Sequence, residues 1–205
     1  MSRKTLSEEE KQQKRRLILE NALRLFGERG YEGSAMEDIA KGAQLSTGTL
    51  YLYFPGKLDI YKQLCEEALE TLDRAFDDAL RLPVPDIRTR LYMIFYSYIH
   101  FYKSDPALYK LLLHALSDES PLPSGDSSLS ERNLEILKRL EAPLIEGVMH
   151  GVIKPCDTFK TILTIRSMFD GVLQIPSASL GESPADTRAD CYAVSLDLIL
   201  NGILV

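Results

Sequence analysis

Apolar residues recur at helical spacing along this chain from near its start to its end. Ile18, Ala22, Leu25 and Phe26 fall at i, i+4, i+7 and i+8, one stripe of a helix predicted over residues 8–29. Ser7 with Glu10 is a capping box that opens it, and Gly30 is its stop. A second capping box, Ser34 with Glu37, predicts a short helix carrying Met36, Ile39, Ala40 and Ala43. Ser46 then caps a third helix through Leu52, broken by Pro55 and Gly56, which leaves only Gln44 and Leu45 to turn the corner. A long helix follows over 57–82, with Leu58, Tyr61, Leu64, Cys65, Ala68, Leu72, Phe76 and Leu80 as its stripe. Five more are predicted over about 86–103, 106–116, 130–150, 158–175 and 184–204. Caps mark the starts of the last three: Ser128 with Glu131, then Asp157, then Ser183 before Pro184. No alternating strand pattern competes, so the fold class is all-α with about nine helices. The Pro, Gly and Ser-rich stretch at 117–130 is the one loop expected to be mobile.

Two very short helices joined by a tight turn and braced by a longer first helix have the layout of a helix-turn-helix. Ile39, Ala40, Leu45 and Leu50 can close a small core against Leu25 and Phe26. The outer face of the third helix, with Thr47, Gly48, Thr49, Tyr51, Leu52 and Tyr53, then has nothing to pack on. Small hydroxyls and a glycine permit close approach to a groove, and tyrosine hydroxyls suit phosphate oxygens. A purely structural three-helix corner is the competing account.

Charge changes the picture once the chain is divided. The total is −6, which alone argues against a polyanionic partner. Residues 1–62 hold 11 Lys or Arg against 9 Asp or Glu, so the basic excess is confined to the front, densest at Lys11, Lys14, Arg15 and Arg16. The chemistry of sites adds little. Cys65, Cys156 and Cys191 are far apart, and His100, His114 and His150 show no metal-ligand spacing. No nucleophile elbow or Gly-rich phosphate loop is present, so neither an enzyme, a cofactor nor a metal is expected. No apolar run approaches a membrane span, and Met1 leads into charges, so a cytoplasmic location is expected.

The stretch GYEGSAMEDIAKGAQLSTGTLYLYFPGKLDIY at 30–61 closely resembles the DNA-binding signature of the TetR family of bacterial transcriptional regulators. The specific part is Thr49-Leu50-Tyr51-Leu52-Tyr53-Phe54 with Lys57 at a fixed offset, on top of Asp38-Ile39-Ala40. The resemblance implies that Ser34 and Lys57 meet phosphates, that Thr47, Gly48 and Thr49 approach bases, and that Tyr51 and Tyr53 hold the backbone. Ser46, Leu52, Lys14 and Arg15 complete the expected DNA face. Gln44 departs from the glycine usual at the turn; it must avoid left-handed geometry or accept strain, and it is placed to reach DNA itself.

The resemblance also divides the chain into a helix-turn-helix domain over 1–56 and a ligand-binding and dimerisation domain over 57–205, linked by the helix at 57–82. Helix five is apolar or aromatic on nearly every side, as a central buried helix would be. In proteins of this kind that position lines a cavity, which implicates Leu64, Ala68, Phe95, Tyr98, Ile99, Tyr102, Tyr109, Leu113 and Phe169. A packed core is the alternative for any one of them. The last two helices would form a homodimer interface through Phe159, Leu163, Arg166, Tyr192, Ser195 and Ile199, burial against their own subunit being the competing account. The implied function is a ligand-responsive regulator of double-stranded operator DNA, a repressor released by a small apolar or aromatic effector. A helical ligand-binding or scaffold protein with an idle helix-turn-helix is the rival.

Overall fold

A computed structural model of the chain describes residues 7–123 and 127–205. Among them run nine α-helices: α1 (Glu8–Arg29), α2 (Met36–Gly42), α3 (Thr47–Tyr51), α4 (Lys57–Arg81), α5 (Ile87–Ser104), α6 (Pro106–Ala115), α7 (Ser128–Met149), α8 (Thr158–Gln174) and α9 (Pro184–Ile203). Strands are absent from the described residues; one isolated antiparallel bridge joins Ile153 to Leu204. The all-α reading holds, with helix ends close to those the sequence predicts. Residues 124–126 of the Ser-rich loop, and Arg3 and Lys4, lie outside the described residues. No described helix is long and apolar enough to cross a membrane.

The helices group into two compact units. One comprises the chain to Leu69 with Asp105–Leu129, the other Glu70–Ser104 with Ser130–Val205. The expected boundary at residue 56 is therefore displaced: the first half of α4, and α6 from far along the chain, join the helix-turn-helix. The reason is packing, since α6 lies along α1 and the Tyr61 hydroxyl reaches the Leu111 carbonyl at 3.4 Å and His114 Nδ1 at 2.8 Å.

In the first unit, α1 starts at the predicted box: the Glu10 N–H donates to Ser7 Oγ at 3.1 Å and the Ser7 N–H to Glu10 Oε2 at 2.8 Å. Ile18, Ala22, Leu25 and Phe26 are buried as the stripe requires, as are Met36, Ile39, Ala40 and Leu50, and α2 packs on both α1 and α3. The second predicted box does not form. α2 begins after Ala35, which makes no side-chain cap, because Ser34 instead turns inward and donates to the Gly30 carbonyl at 2.8 Å. This corner is tight: a Cβ on Gly33 would stand 2.3 Å from the Arg29 carbonyl oxygen.

In the second unit, α5 is central but not buried all round. Leu91, Ile94, Phe95, Tyr98 and Ile99 face inward, whereas Tyr92 and Tyr96 stack on each other about half exposed. Arg139 ties α7 to α4 through Asp73 and Asp77. Asp157 caps α8 by accepting the Lys160 N–H at 3.0 Å, the contact that holds its carboxyl below the usual range. Ser183 makes no such bond, and α9 starts on Pro184 alone.

The Gly33 contact sets how α2 leaves α1. Replacing Gly33 by Ala forces the corner backbone apart and is expected to destabilise the protein by about 1–3 kcal/mol, the usual cost of overpacking. Thermal denaturation followed by circular dichroism checks it; an unchanged midpoint would show that the corner yields freely.

Candidate nucleic-acid interface and effector cavity

The third helix is positioned by what it buries. Leu50 is fully enclosed and Phe54 nearly so, which pins α3 by one side and turns the other outward. Ser46 caps it by accepting the Thr49 N–H at 3.1 Å, and its hydroxyl meets that of Thr49 at 2.8 Å. On the outward side Thr47 and Thr49 are half-buried, Gly48 has open space where a Cβ would stand, Tyr51 is 49% exposed and Leu52 82%. Tyr53 is half-buried at the helix end. At 82% exposed, Leu52 is open to contact with a thymine methyl.

The turn between α2 and α3 is a Schellman motif. The Leu45 N–H donates to the Ala40 carbonyl at 2.9 Å and the Gln44 N–H to the Lys41 carbonyl at 3.1 Å. Its left-handed position is Gln44, at φ 57°, so the glutamine accepts the strain rather than avoiding it. Its side chain stays exposed, and Lys41, one turn earlier on α2, is an exposed cation that the sequence reading passed over. The signal was present, since Lys41 stands in the first helix of the bihelical motif, but a lone lysine between Ala40 and Gly42 carries no pattern.

Several residues expected at DNA are occupied elsewhere. Ser34 is 3% exposed with its hydroxyl on Gly30, so that side chain is unavailable to a phosphate. Lys57 lays its ammonium 4.2 Å over the Tyr31 ring and donates to the Tyr31 carbonyl at 2.7 Å. Arg15 sits 4.3 Å over the Phe54 ring and donates to Gln63 Oε1 at 2.9 Å. These are clamps of the unit itself, with Lys57 keeping two further N–H groups. Arg16, Arg24 and Arg29 pair with Glu20, Glu28 and Asp38. Lys14 makes no ion pair among the described residues.

The second unit holds a cavity of about 40 Å³ between α4, α5, α7 and α8. Of the residues expected to line one, Phe95, Tyr98 and Phe169 do so, joined by Leu72, Phe76 and Ile136 among others. Leu64, Ala68, Tyr109 and Leu113 do not: all four belong to the first unit, the first three buried in its core and Leu113 half-buried. Ile99 lines a separate groove with Tyr92 and Tyr96, and Tyr102 packs on the Tyr192 ring at 6.3 Å. The aromatic stripe was legible; which side of each helix met the void was not. The cavity wall carries three polar side chains, Tyr98, Asn133 and Arg166.

The expected dimer face needs correction. Tyr192, Ser195 and Ile199 are buried within their own unit, Tyr192 against Phe169 at 5.6 Å. Burial pushes the Tyr192 hydroxyl well above the usual tyrosine range, so it stays neutral. Arg166 points inward, its Nη1 donating to Asn133 Oδ1 at 3.0 Å and its Nε 3.4 Å from Asp170 Oδ2. What α8 and α9 leave open is Leu163, one of the expected set, at 38%, with Met168 at 36%, Val194 at 58% and Leu198 at 63% exposed. Met168 and Leu198 share one groove with Gly202, and Phe159 is half-buried near the start of α8. Both sides of these helices are apolar, so the pattern alone did not separate the residues that pack within the unit from those left exposed.

Residues 18–64 match the family model described as bacterial regulatory proteins, tetR family. Over its length the chain is similar to the HTH-type transcriptional regulator YhgD of Bacillus subtilis, 22% identical over 76% of this chain and 80% of that one. IcaR of Staphylococcus aureus, the negative regulator of the biofilm operon icaADBC, is 44% identical over 46 residues, 22% of this chain and 25% of its own. The fold is similar to that of PfmR, a TetR-family transcriptional regulator of Thermus thermophilus, with a TM-score of 0.74 at 24% identity over 90% of this chain and 97% of that one.

The strained turn yields a direct test. Glycine adopts φ 57° without the steric cost that glutamine bears, so Gln44→Gly is expected to stabilise the protein by about 1 kcal/mol. Chemical denaturation reads this as a higher midpoint at unchanged slope, and a lower midpoint would mean that the Gln44 side chain stabilises the turn by more than its strain costs.

Proposed function

We propose, from the match of residues 18–64 to the tetR family model of bacterial regulatory proteins and from the shared fold, that the chain is a transcriptional regulator of that family, with a DNA-binding helix-turn-helix, and acts as a homodimeric repressor. A small apolar or aromatic molecule in the cavity of the second unit releases it from a palindromic operator in the cytoplasm. The observation that carries the DNA half is the outward side of α3, where Gly48 leaves room and Tyr51 and Leu52 have no partner to cover them. Thr47, Gly48, Thr49 and Leu52 then approach base edges. Tyr51, Tyr53, Lys14 and Lys41 meet phosphates, with Ser46 and Gln44 beside them. The negative regulation in the name of IcaR, similar in this segment, supports repression.

A single five-residue helix reads too few bases, so two copies must be held about 34–36 Å apart, one helical turn of DNA. The Met168, Val194 and Leu198 stripe supports an isologous contact between copies, two helices from each. α4 runs unbroken from the first unit into the second, where Leu72 and Phe76 line the cavity. An effector wedged against them tilts α4 and spoils the spacing. It need favour the misfit state by only a few kcal/mol, and DNA must weaken effector binding by the same factor.

Duplexes selected from a randomised pool supply the operator. Affinity is expected to fall with salt at about 0.9 in log-log slope per neutralised phosphate. Lys14→Ala and Tyr51→Phe should weaken all sequences alike, and Thr49→Ala should change which sequence is preferred. Salt-independent binding, or binding unmoved by all three substitutions, would place the DNA contact elsewhere.

The interface has its own test. Leu198→Glu, on an exposed position, should give a folded monomer by sedimentation that no longer holds operator, whereas Ile199→Glu, on a buried one, should unfold the chain. A dimeric Leu198→Glu would move the interface off this stripe.

A further inference from the structure

The polar groups of the cavity wall are already arranged, and their arrangement excludes one class of ligand. Arg166 is neutralised before anything binds. Its Nε lies 3.4 Å from Asp170 Oδ2, and both side chains are about four-fifths buried. Asp170 also accepts a hydrogen bond from the Tyr98 hydroxyl. The guanidinium donates at the same time to Asn133 Oδ1 at 3.0 Å. That bond settles which way the amide faces, because a guanidinium has no acceptor and must meet oxygen. The Asn133 NH₂ group is therefore the end left over, two donors on a residue that lines the cavity beside Tyr98 and Arg166.

We propose that the effector is an uncharged, largely apolar molecule with one carbonyl-type acceptor, received by Asn133 Nδ2; this rests on the cavity being the effector site. The ring-bearing walls, Phe76 stacked on Tyr98 at 6.2 Å and Phe95 against Phe169 at 5.8 Å, take the apolar body. A carboxylate is rejected. Arg166 already faces Asp170, so an incoming carboxylate would meet a paired guanidinium and a buried like charge in a largely apolar space. A molecule with no acceptor leaves the Asn133 donors unmet where water has been displaced. Rejection of the wrong charge and reward of the right acceptor together set the specificity.

Three probes of one skeleton separate these terms: 4-phenyl-2-butanone, 3-phenylpropanoate and butylbenzene, each titrated into the full chain by calorimetry. The ketone is expected to bind at least tenfold more tightly than the carboxylate and more tightly than butylbenzene. Asn133→Leu should erase the advantage of the ketone over butylbenzene. Asp170→Asn frees the Arg166 charge and should turn the preference towards 3-phenylpropanoate by tenfold or more. If Asp170→Asn fails to fold by circular dichroism, the Asn133→Leu comparison decides alone. A wild-type preference for the carboxylate, or a ketone advantage that survives Asn133→Leu, overturns the inference while leaving the cavity as the effector site. Binding by none of the three probes overturns both.

Discussion

The Lys57 ammonium lies over the Tyr31 ring and on its carbonyl, and the orientation of the whole first unit depends on that contact. Tyr31 stands just past the end of α1, Lys57 opens α4, and α2 and α3 occupy the chain between them. Fixing those two ends closes the loop of two short helices that could not hold shape alone. Phe26, Tyr31 and Tyr61 meet edge-on or tilted with centroids 5.1–5.7 Å apart and form the bed beneath the cation. A partly desolvated cation on such a ring contributes about 1–2 kcal/mol. α6 extends the same bed through His114 on the Tyr61 hydroxyl, which burial keeps neutral by raising it far above the usual tyrosine range.

That arrangement leaves few charges for a partner. The front of the chain is basic by count, yet most of its arginines hold glutamates, aspartates or rings of the same unit. Charge used for internal fixing is not available to steer a polyanion, so recognition on this surface is weighted towards hydroxyls, backbone and shape. Among the described residues, Lys14 on α1 and Lys41 on α2 are cations with exposed or half-exposed side chains outside the ion pairs named above.

The helices were legible because each carries its own local signals. Ser7, Gly30, Ser46 and Asp157 act within one turn of where they stand, and α2 is the instructive exception. Ser34 and Glu37 satisfy the capping pattern, but the tight Gly33 corner gave Ser34 a better acceptor in the Gly30 carbonyl. The front site was legible for the same reason, since α3 is placed by Leu50 and Phe54 only a few residues away. The rear site was legible only as a composition. Whether Tyr109 or Phe169 meets the cavity depends on how α6 and α8 dock, information spread over the whole chain. Arg166 shows the limit most clearly. Its charge suggested a surface, and only the partners on α7 and its own helix, Asn133 and Asp170, explain why it faces in.

A cavity of 40 Å³ holds a few water-sized spheres, far less than a molecule bearing a ring. Under the proposed function the protein is closely packed where an effector must enter, and the work of parting Phe76 from Tyr98 falls on each arriving molecule. That work sets a detection threshold. Trace amounts of a fitting compound leave the packed state dominant, and response begins once concentration offsets the cost of opening. On that proposal, sensitivity is written into the bulk of the wall residues, so a lineage could retune its alarm level by trimming Leu72 or Ile136 without touching either the polar groups assigned to the compound or the helix assigned to DNA.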